Sequence, residues 1–236
     1  MSKKLFPFSF ENNPISVGAR SSPLSLRQVT EVLEEMRQIY PFLQFTTVSV
    51  TTFGDIDLIS SLRSLGKTDF FTREIDEMLL KGHCRVAIHS AKDLPEPMPQ
   101  GLSIVAITQG RSPFDVLVLK KGHDIDVLPK EPKIGSSSLR RDESVKRMLK
   151  DAICFDIRGT IETRLASLDE GKYDGIVLAL AALIRLGIKE YPYVILPGEY
   201  HPMQGRLAVV ARENDDEMRR LFAPIHAEAT VFGSRS

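Results

Sequence analysis

Apolar residues recur along this chain in two rhythms. Short β-branched runs at 15–17, 48–50, 86–88, 104–107, 116–119, 155–157, 176–178, 194–196 and 207–210 have the length and composition of strands. Between several of them the apolar positions switch to helical period. The clearest case is 23–39, where Leu26, Val29, Leu33, Met36 and Ile39 recur behind Ser22 as N-cap and Pro23 at the first helical position. Further helices are predicted at 71–80, 139–149, 161–168 and 181–186, the last closed by Gly187. Alternation of this kind predicts an α/β fold with mainly parallel sheets.

Breaks in the pattern divide the chain. The 109–113 stretch, with Gly110 and Pro113, and the 197–205 stretch, with two prolines and two glycines, are the candidate connections between two lobes. Two crossings mean that the chain leaves the first lobe and later returns to it. Lobe 1 is therefore expected at 14–108 and 206–223, and lobe 2 at 109–205. The last strand and a helix ending near Phe222 complete lobe 1. A cleft between two such sheets is the usual place for a ligand.

Composition narrows the classes. With 42% hydrophobic and 26% charged residues, the 236-residue chain is that of a globular protein with real cores. Its 31 basic residues balance its 31 acidic ones, so no overall field favours nucleic acid or an anionic membrane. The longest apolar run, 176–184, is about half of a membrane span, and the first residues are too short and interrupted for an export signal. A cytoplasmic monomer is expected. Cys84 and Cys154 show no metal-ligand spacing, and the five histidines are scattered, which reads as structural or surface use.

Candidate chemistry gathers where strands end. His89-Ser90-Ala91-Lys92-Asp93-Leu94-Pro95 follows directly on the 86–88 strand, so its polar groups stand at a sheet's carboxyl end. Either Lys92 and Asp93 merely pair at a surface, or Asp93 steadies a cation or moves a proton. Gly135-Ser136-Ser137-Ser138-Leu139-Arg140-Arg141 opens a helix with free N–H groups, hydroxyls and two guanidiniums, which suits a carboxylate or phosphate; ordinary serine capping is the alternative. Arg20-Ser21-Ser22-Pro23 and Arg158-Gly159-Thr160 with Arg164 are two more basic helix starts, and Arg185 adds a further cation. Together they suit a ligand with several carboxylates. No Walker-type loop and no GxGxxG after a strand is present, which disfavours nucleotide.

These residues match an ordered set of motifs. Ala19-Arg20-Ser21-Ser22-Pro23-Leu24 with Gln28, Gly54-Asp55, and Phe71 before Arg73-Glu74 precede the His89–Pro95 and Gly135–Arg141 segments. Ile157-Arg158-Gly159, Thr163-Arg164-Leu165, Tyr173-Asp174, Arg185-Leu186-Gly187 and Gln204-Gly205 follow. From about Ile15 to about Thr230 the chain resembles the porphobilinogen deaminase (hydroxymethylbilane synthase) family. The resemblance implies a transferase of porphyrin and haem biosynthesis that joins four porphobilinogen units on a dipyrromethane primer, releasing ammonia each time. It implies two lobes like those of bilobal anion-binding proteins. It makes Asp93 the catalytic residue and assigns Ser90, Lys92, Ser138, Arg140, Arg141, Arg164 and Arg185 to the dipyrromethane cofactor. Arg20, Ser22, Arg158 and Gln204 fall to the substrate, and no metal is implied.

Two departures from the family pattern stand out. Ser64 and Thr68 occupy places where the family has lysines in a segment before Phe71, with Lys67 one place away. The family also carries a third domain with a cysteine in a Gly-Gly-Cys loop that bonds the primer. Here 224–236 reads as a remnant of that domain, so covalent attachment is not expected. The rival reading is a non-catalytic two-lobe binder of polycarboxylates, or a decayed deaminase. A lobe-closing solute receptor is a third, weakened by the lack of an export signal.

Overall fold

The computed structural model describes residues 13–57, 61, 63 and 69–227. Ser64, Lys67, Thr68 and most of the expected 224–236 remnant lie outside them.

In chain order the elements are β1 (Ile15–Arg20), α1 (Pro23–Ile39), β2 (Phe45–Val50), α2 (Phe53–Ile56), α3 (Arg73–Leu80), β3 (Val86–Ser90) and β4 (Leu102–Ile107). Next come β5 (Asp115–Leu119), β6 (Lys133–Ser136), α4 (Leu139–Met148), β7 (Ile153–Asp156), α5 (Ile161–Asp169), β8 (Gly175–Ala179), α6 (Leu180–Leu186) and β9 (Tyr193–Ile195). β10 (Leu207–Arg212) and α7 (Asp216–Phe222) close the series. They build two α/β lobes, one around a sheet of order β2-β1-β3-β10-β4 and the other around β7-β6-β8-β5-β9. Both sheets are mixed. In each, four strands share a direction and one runs against them: β10 in the first, β5 in the second. These reversed strands are the ones entered from the opposite lobe, so the parallel expectation fails only where the chain crosses.

Helices cover both faces of each sheet. α1 begins because Ser22 accepts from the Ser25 N–H at 3.4 Å and Pro23 needs no donor partner. Its apolar stripe, Val29, Val32, Leu33 and Met36, packs with Met218, Leu221 and Phe222 of α7 onto Val17, Val86, Ile88 and Val209. α3 covers the opposite face through Ile75 and Leu79. In lobe 2, Leu165, Leu168 and Leu183 pack on Val116, Ile176 and Leu178, and Val145 of α4 packs on the other face with Leu117, Ile134 and Val177. Each fully buried Leu, Ile or Met contributes about 1.5–3 kcal/mol.

Two elements escaped the sequence pattern as strand and helix. β6 has one large apolar residue, Ile134, yet is an interior strand between β7 and β8. It needs Gly135, because a Cβ there would meet Ile157 and Ile176 side-chain carbons at 3.0 and 3.1 Å. α2 is a single turn held by Asp55, which accepts from the Thr52 N–H at 3.0 Å and its hydroxyl at 2.8 Å. β7 lies two residues earlier than expected at its start, with Ile153 and Phe155 exposed on the sheet edge and Ile157 buried beyond the strand.

The two connections between the sheets touch. Arg111 N–H donates to the Gly205 carbonyl at 3.2 Å, and Gly110 and Gly205 both have positive φ. A Cβ on Gly205 would come within 2.1 Å of the Ser112 carbonyl oxygen, so only glycine fits there.

Candidate active site

The parallel strands of both sheets end around one cavity of about 500 Å³. Arg20 comes from the end of β1, Ser90 from the end of β3, and Lys92 and Asp93 from the tight turn that follows. Lobe 2 supplies Arg141 from the first turn of α4, Arg158 from the loop after β7, Arg164 from α5 and Arg185 from α6. Ser22, the α1 cap, lines the same space. Nine of the twelve residues singled out by sequence therefore converge here; Ser138, Arg140 and Gln204 stand outside the lining.

The cations differ in what already holds them. Arg20 forms an ion pair with Asp55 and stacks over Phe71, its guanidinium carbon 4.5 Å from the ring centroid. Burial works to raise the Asp55 pKa, but the Arg20 hydrogen bond and charge together with the Thr52 donors bring it below the ordinary value. Arg164 donates to the Gly159 carbonyl at 2.9 Å, and burial, then Arg141 and Arg158, push its pKa down to about 10. Arg185, nearly wholly buried, spans the lobes: it pairs with Glu31 of α1 at 3.0 Å and donates to the Gly205 carbonyl at 2.7 Å.

Arg158 also spans the lobes, donating from Nη2 to the carbonyls of Gly54 and Asp57 at 3.3 and 2.7 Å. Its Nε and Nη1 are buried without a partner. Unpaired guanidinium donors are costly to bury, and a ligand carboxylate would satisfy them. Among the described residues, Lys92 and Asp93 form no hydrogen bond or ion pair with the protein, so the surface-pair alternative finds no support. Burial, then Arg141, lowers the Lys92 pKa to about 8, with Asp93 and Asp115 partly opposing.

Sequence reasoning missed Asp115. This wholly buried carboxylate heads β5 and accepts from Arg141 Nε at 3.0 Å and Nη2 at 2.6 Å, Arg140 Nη2 at 2.6 Å and Gln204 Nε2 at 2.6 Å. Burial works to raise its pKa, but Arg141, Lys92 and Arg140 overcome that and hold it at about 2. A carboxylate at the head of the otherwise apolar Asp-Val-Leu-Val-Leu run was the available signal. Ser138 caps α4 by accepting from the Arg141 N–H at 3.4 Å. His89 is buried on the cavity wall with Nε2 unpartnered, and burial, then Arg20, lowers its pKa to about 4.

The ensemble is a basic, partly apolar pocket whose wall carries the unpartnered carboxylates of Asp93 and Glu162, suited to hold a polyacid and steady a positive charge within it. Among the described residues no metal-ligating cluster occurs and no helix is long and apolar enough to cross a membrane.

Comparison with known proteins agrees. The profile described as "Porphobilinogen deaminase, dipyromethane cofactor binding domain" matches residues 15–220. The Chlamydia pneumoniae protein named "Probable porphobilinogen deaminase" is 40% identical over 226 residues, covering 96% of each chain. The porphobilinogen deaminase of Vesicomyosocius okutanii is 38% identical over 217 residues, covering 91% of this chain and 71% of its own. Among solved structures, an ABC transporter periplasmic substrate-binding protein from Coxiella burnetii superposes with a TM-score of 0.56 at 15% identity, covering 91% of this chain and 93% of its own. That likeness shows the bilobal fold alone. Sequence motifs, the matching profile and the shared identity all lead to one statement: this chain belongs to the porphobilinogen deaminase family.

Proposed function

We propose that the chain is a hydroxymethylbilane synthase, a transferase that condenses four porphobilinogen units head to tail with loss of ammonia in tetrapyrrole biosynthesis. The observation that carries this reading is the unpartnered Asp93 carboxylate beside Lys92, at the carboxyl end of β3, inside an arginine-lined cavity. Each porphobilinogen carries an acetate and a propionate, and loss of its ammonia leaves a cation. Asp93 is the one free carboxylate among the family-matched cavity residues, placed to stabilise that cation as charge develops.

A dipyrromethane fits the same space. It would bring four carboxylates, and the free Lys92 ammonium is a donor that needs an acceptor. When bound, the primer supplies the pyrrole carbon that attacks the arriving unit. Lys92, Arg141 and Arg164 would hold its acids, with Ser90 beside them. Arg158, Arg20 and Ser22 would hold those of the substrate. Ser138, Arg140 and Gln204 act from behind the lining, through the α4 cap and the Asp115 cluster. The lobe limits follow as 14–108 with 206–223, and 109–205, with the contact between Gly110 and Gly205 as the point of flexure.

The test is to incubate pure protein with porphobilinogen while following ammonia and a linear tetrapyrrole. Release of both is expected. Tight binding without ammonia would replace the enzyme with a polycarboxylate binder.

A further inference from the structure

Asp115 lies outside the cavity lining, yet it organises more of the pocket's basic side than any other carboxylate. Its Oδ1 accepts from Arg141 Nε and Nη2 and from Gln204 Nε2, and its Oδ2 accepts from Arg140 Nη2. Of these partners only Arg141 reaches the cavity. Arg141 is almost entirely buried, and its remaining Nη1 contacts the Ser137 hydroxyl at 3.4 Å, so its guanidinium is fixed in orientation before any ligand arrives.

The position of Asp115 in the chain adds a second link. It is the first residue of β5, immediately after the first crossing between lobes. Gln204 stands at the end of the second crossing, beside Gly205. The Asp115 backbone is itself pinned, its carbonyl accepting from the Leu196 N–H at 3.0 Å. One carboxylate thus fastens the arginine that faces the ligand to both strands of the hinge. A hydrogen-bonded side chain on Gln204 alone would not need a charge there. Two guanidiniums converging on one wholly buried point, Arg141 buried and Arg140 half-buried, do, because without the carboxylate their mutual repulsion is uncompensated.

Resting on the reading of the cavity as a polyacid site, we propose that Asp115 is a positioning residue: acting through Arg141, it sets the cavity's anion-binding geometry and ties that geometry to the two lobe crossings. It touches no reacting atom. Its influence on the ligand is indirect, through the direction of Arg141 and through the charge it presents toward Lys92. The charged groups that bear on Lys92 are Arg141, Asp93, Asp115 and Arg140. Neutralising Asp115 removes one of the two anions that keep Lys92 protonated, so ammonium loss and the accompanying loss of anion affinity move to lower pH.

The experiment compares wild type, Asp115→Asn and Asp115→Glu by calorimetric titration with two probes, porphobilinogen and tricarballylate, across pH 6 to 10. Folding is checked by thermal melting of each variant. For Asp115→Asn the expected results are an affinity loss of about tenfold for both probes and an alkaline limb displaced to lower pH. Asp115→Glu should recover the wild-type limb, since the charge is kept. A residue serving the fold alone would lower the melting temperature and leave the limb in place. Unchanged affinity and limb in folded Asp115→Asn overturn the proposal. So does tighter binding, which would show Asp115 competing with the ligand for arginine. Should Asp115→Asn fail to fold, Gln204→Met cuts the link to the second crossing alone; a several-fold affinity loss supports the proposal and wild-type affinity overturns it. Failure of the enzymatic reading looks different: wild type would then release no ammonia from porphobilinogen, and the variants are still judged on tricarballylate.

Discussion

The polar segment after β3 and the one after β6 each stand at the carboxyl end of an interior strand, yet they arrive in opposite electrostatic states. After β6, the arginines of α4 are already committed: Arg140 and Arg141 share Asp115, and Ser137 and Ser138 bond to Arg141. After β3, Lys92 and Asp93 have no partner among the described residues. A satisfied group holds a shape, whereas an unsatisfied one beside a cavity has its interaction still to make. On the proposed reading, the segment after β6 is shaped to bind and the segment after β3 to react. The same division runs through the arginines, with Arg20 and Arg185 tied to Asp55 and Glu31 while Arg158 keeps two buried donors open.

The most severe way to break this contrast is Asp93→Asn. An amide keeps the shape of the side chain but cannot steady a cation by charge, so ammonia release should fall on the order of 100-fold or more. Calorimetry should show porphobilinogen binding largely retained, because the arginines are untouched. Wild-type turnover in this variant would remove Asp93 from the chemistry and erase the distinction between the two segments.

A smaller effect sharpens the contrast among the arginines. Arg158→Leu and Arg140→Leu each delete one guanidinium, but only Arg158 lines the cavity, and its Nε and Nη1 have no partner. Arg158→Leu should weaken polycarboxylate binding by about 1.5 to 3 kcal/mol. Arg140→Leu should cost less affinity and more stability, since it strips Asp115 of a partner and frees the Glu199 carbonyl. Titration and thermal melting of both variants decide it; equal affinity losses would mean that the Asp115 pairing does not set Arg140 apart.

Much of this was legible in the chain. α1 falls at the residues that its period and cap foretold, because Ser22, Pro23 and the Val29–Met36 stripe all favour the same helix. Most cavity cations were legible because helices that start after strands bring their first residues to the sheet's end; Arg185, in the last turn of α6, is the exception. Partners were not. Asp115 and Glu31 are 26 and 154 residues from the arginines they hold, Arg141 and Arg185, and no local rule links such pairs. β6 was hidden for a different reason: its fit depends on the missing side chain of Gly135 rather than on an apolar pattern. His89, read as structural or surface, is a buried wall residue, and a single histidine carries no periodic signal that would choose between the two.

The smallest expected effect concerns sulfur, and it separates residues that line the cavity from those beneath the sheets. A thioether to a dipyrromethane needs a thiolate at the cavity, and neither of the chain's two cysteines lines it. Cys84 is buried at the opposite end of β3 from Asp93, its Sγ only 2.8 Å from where a Cβ on Gly18 would stand. Burial pushes its pKa up to about 11, and burial, then Asp142, also raises that of Cys154. Both thiols stay protonated near neutral pH and are poor nucleophiles. Primer held by this chain should therefore be held by ion pairs and wash out on denaturation. Replacing Cys84 with Ala or Cys154 with Ser should change neither primer retention nor the intact mass of protein from cells that make porphobilinogen. A two-pyrrole mass increment that survives denaturation, and disappears with either cysteine, would place an anchoring sulfur at the cavity and overturn this assignment of the two thiols.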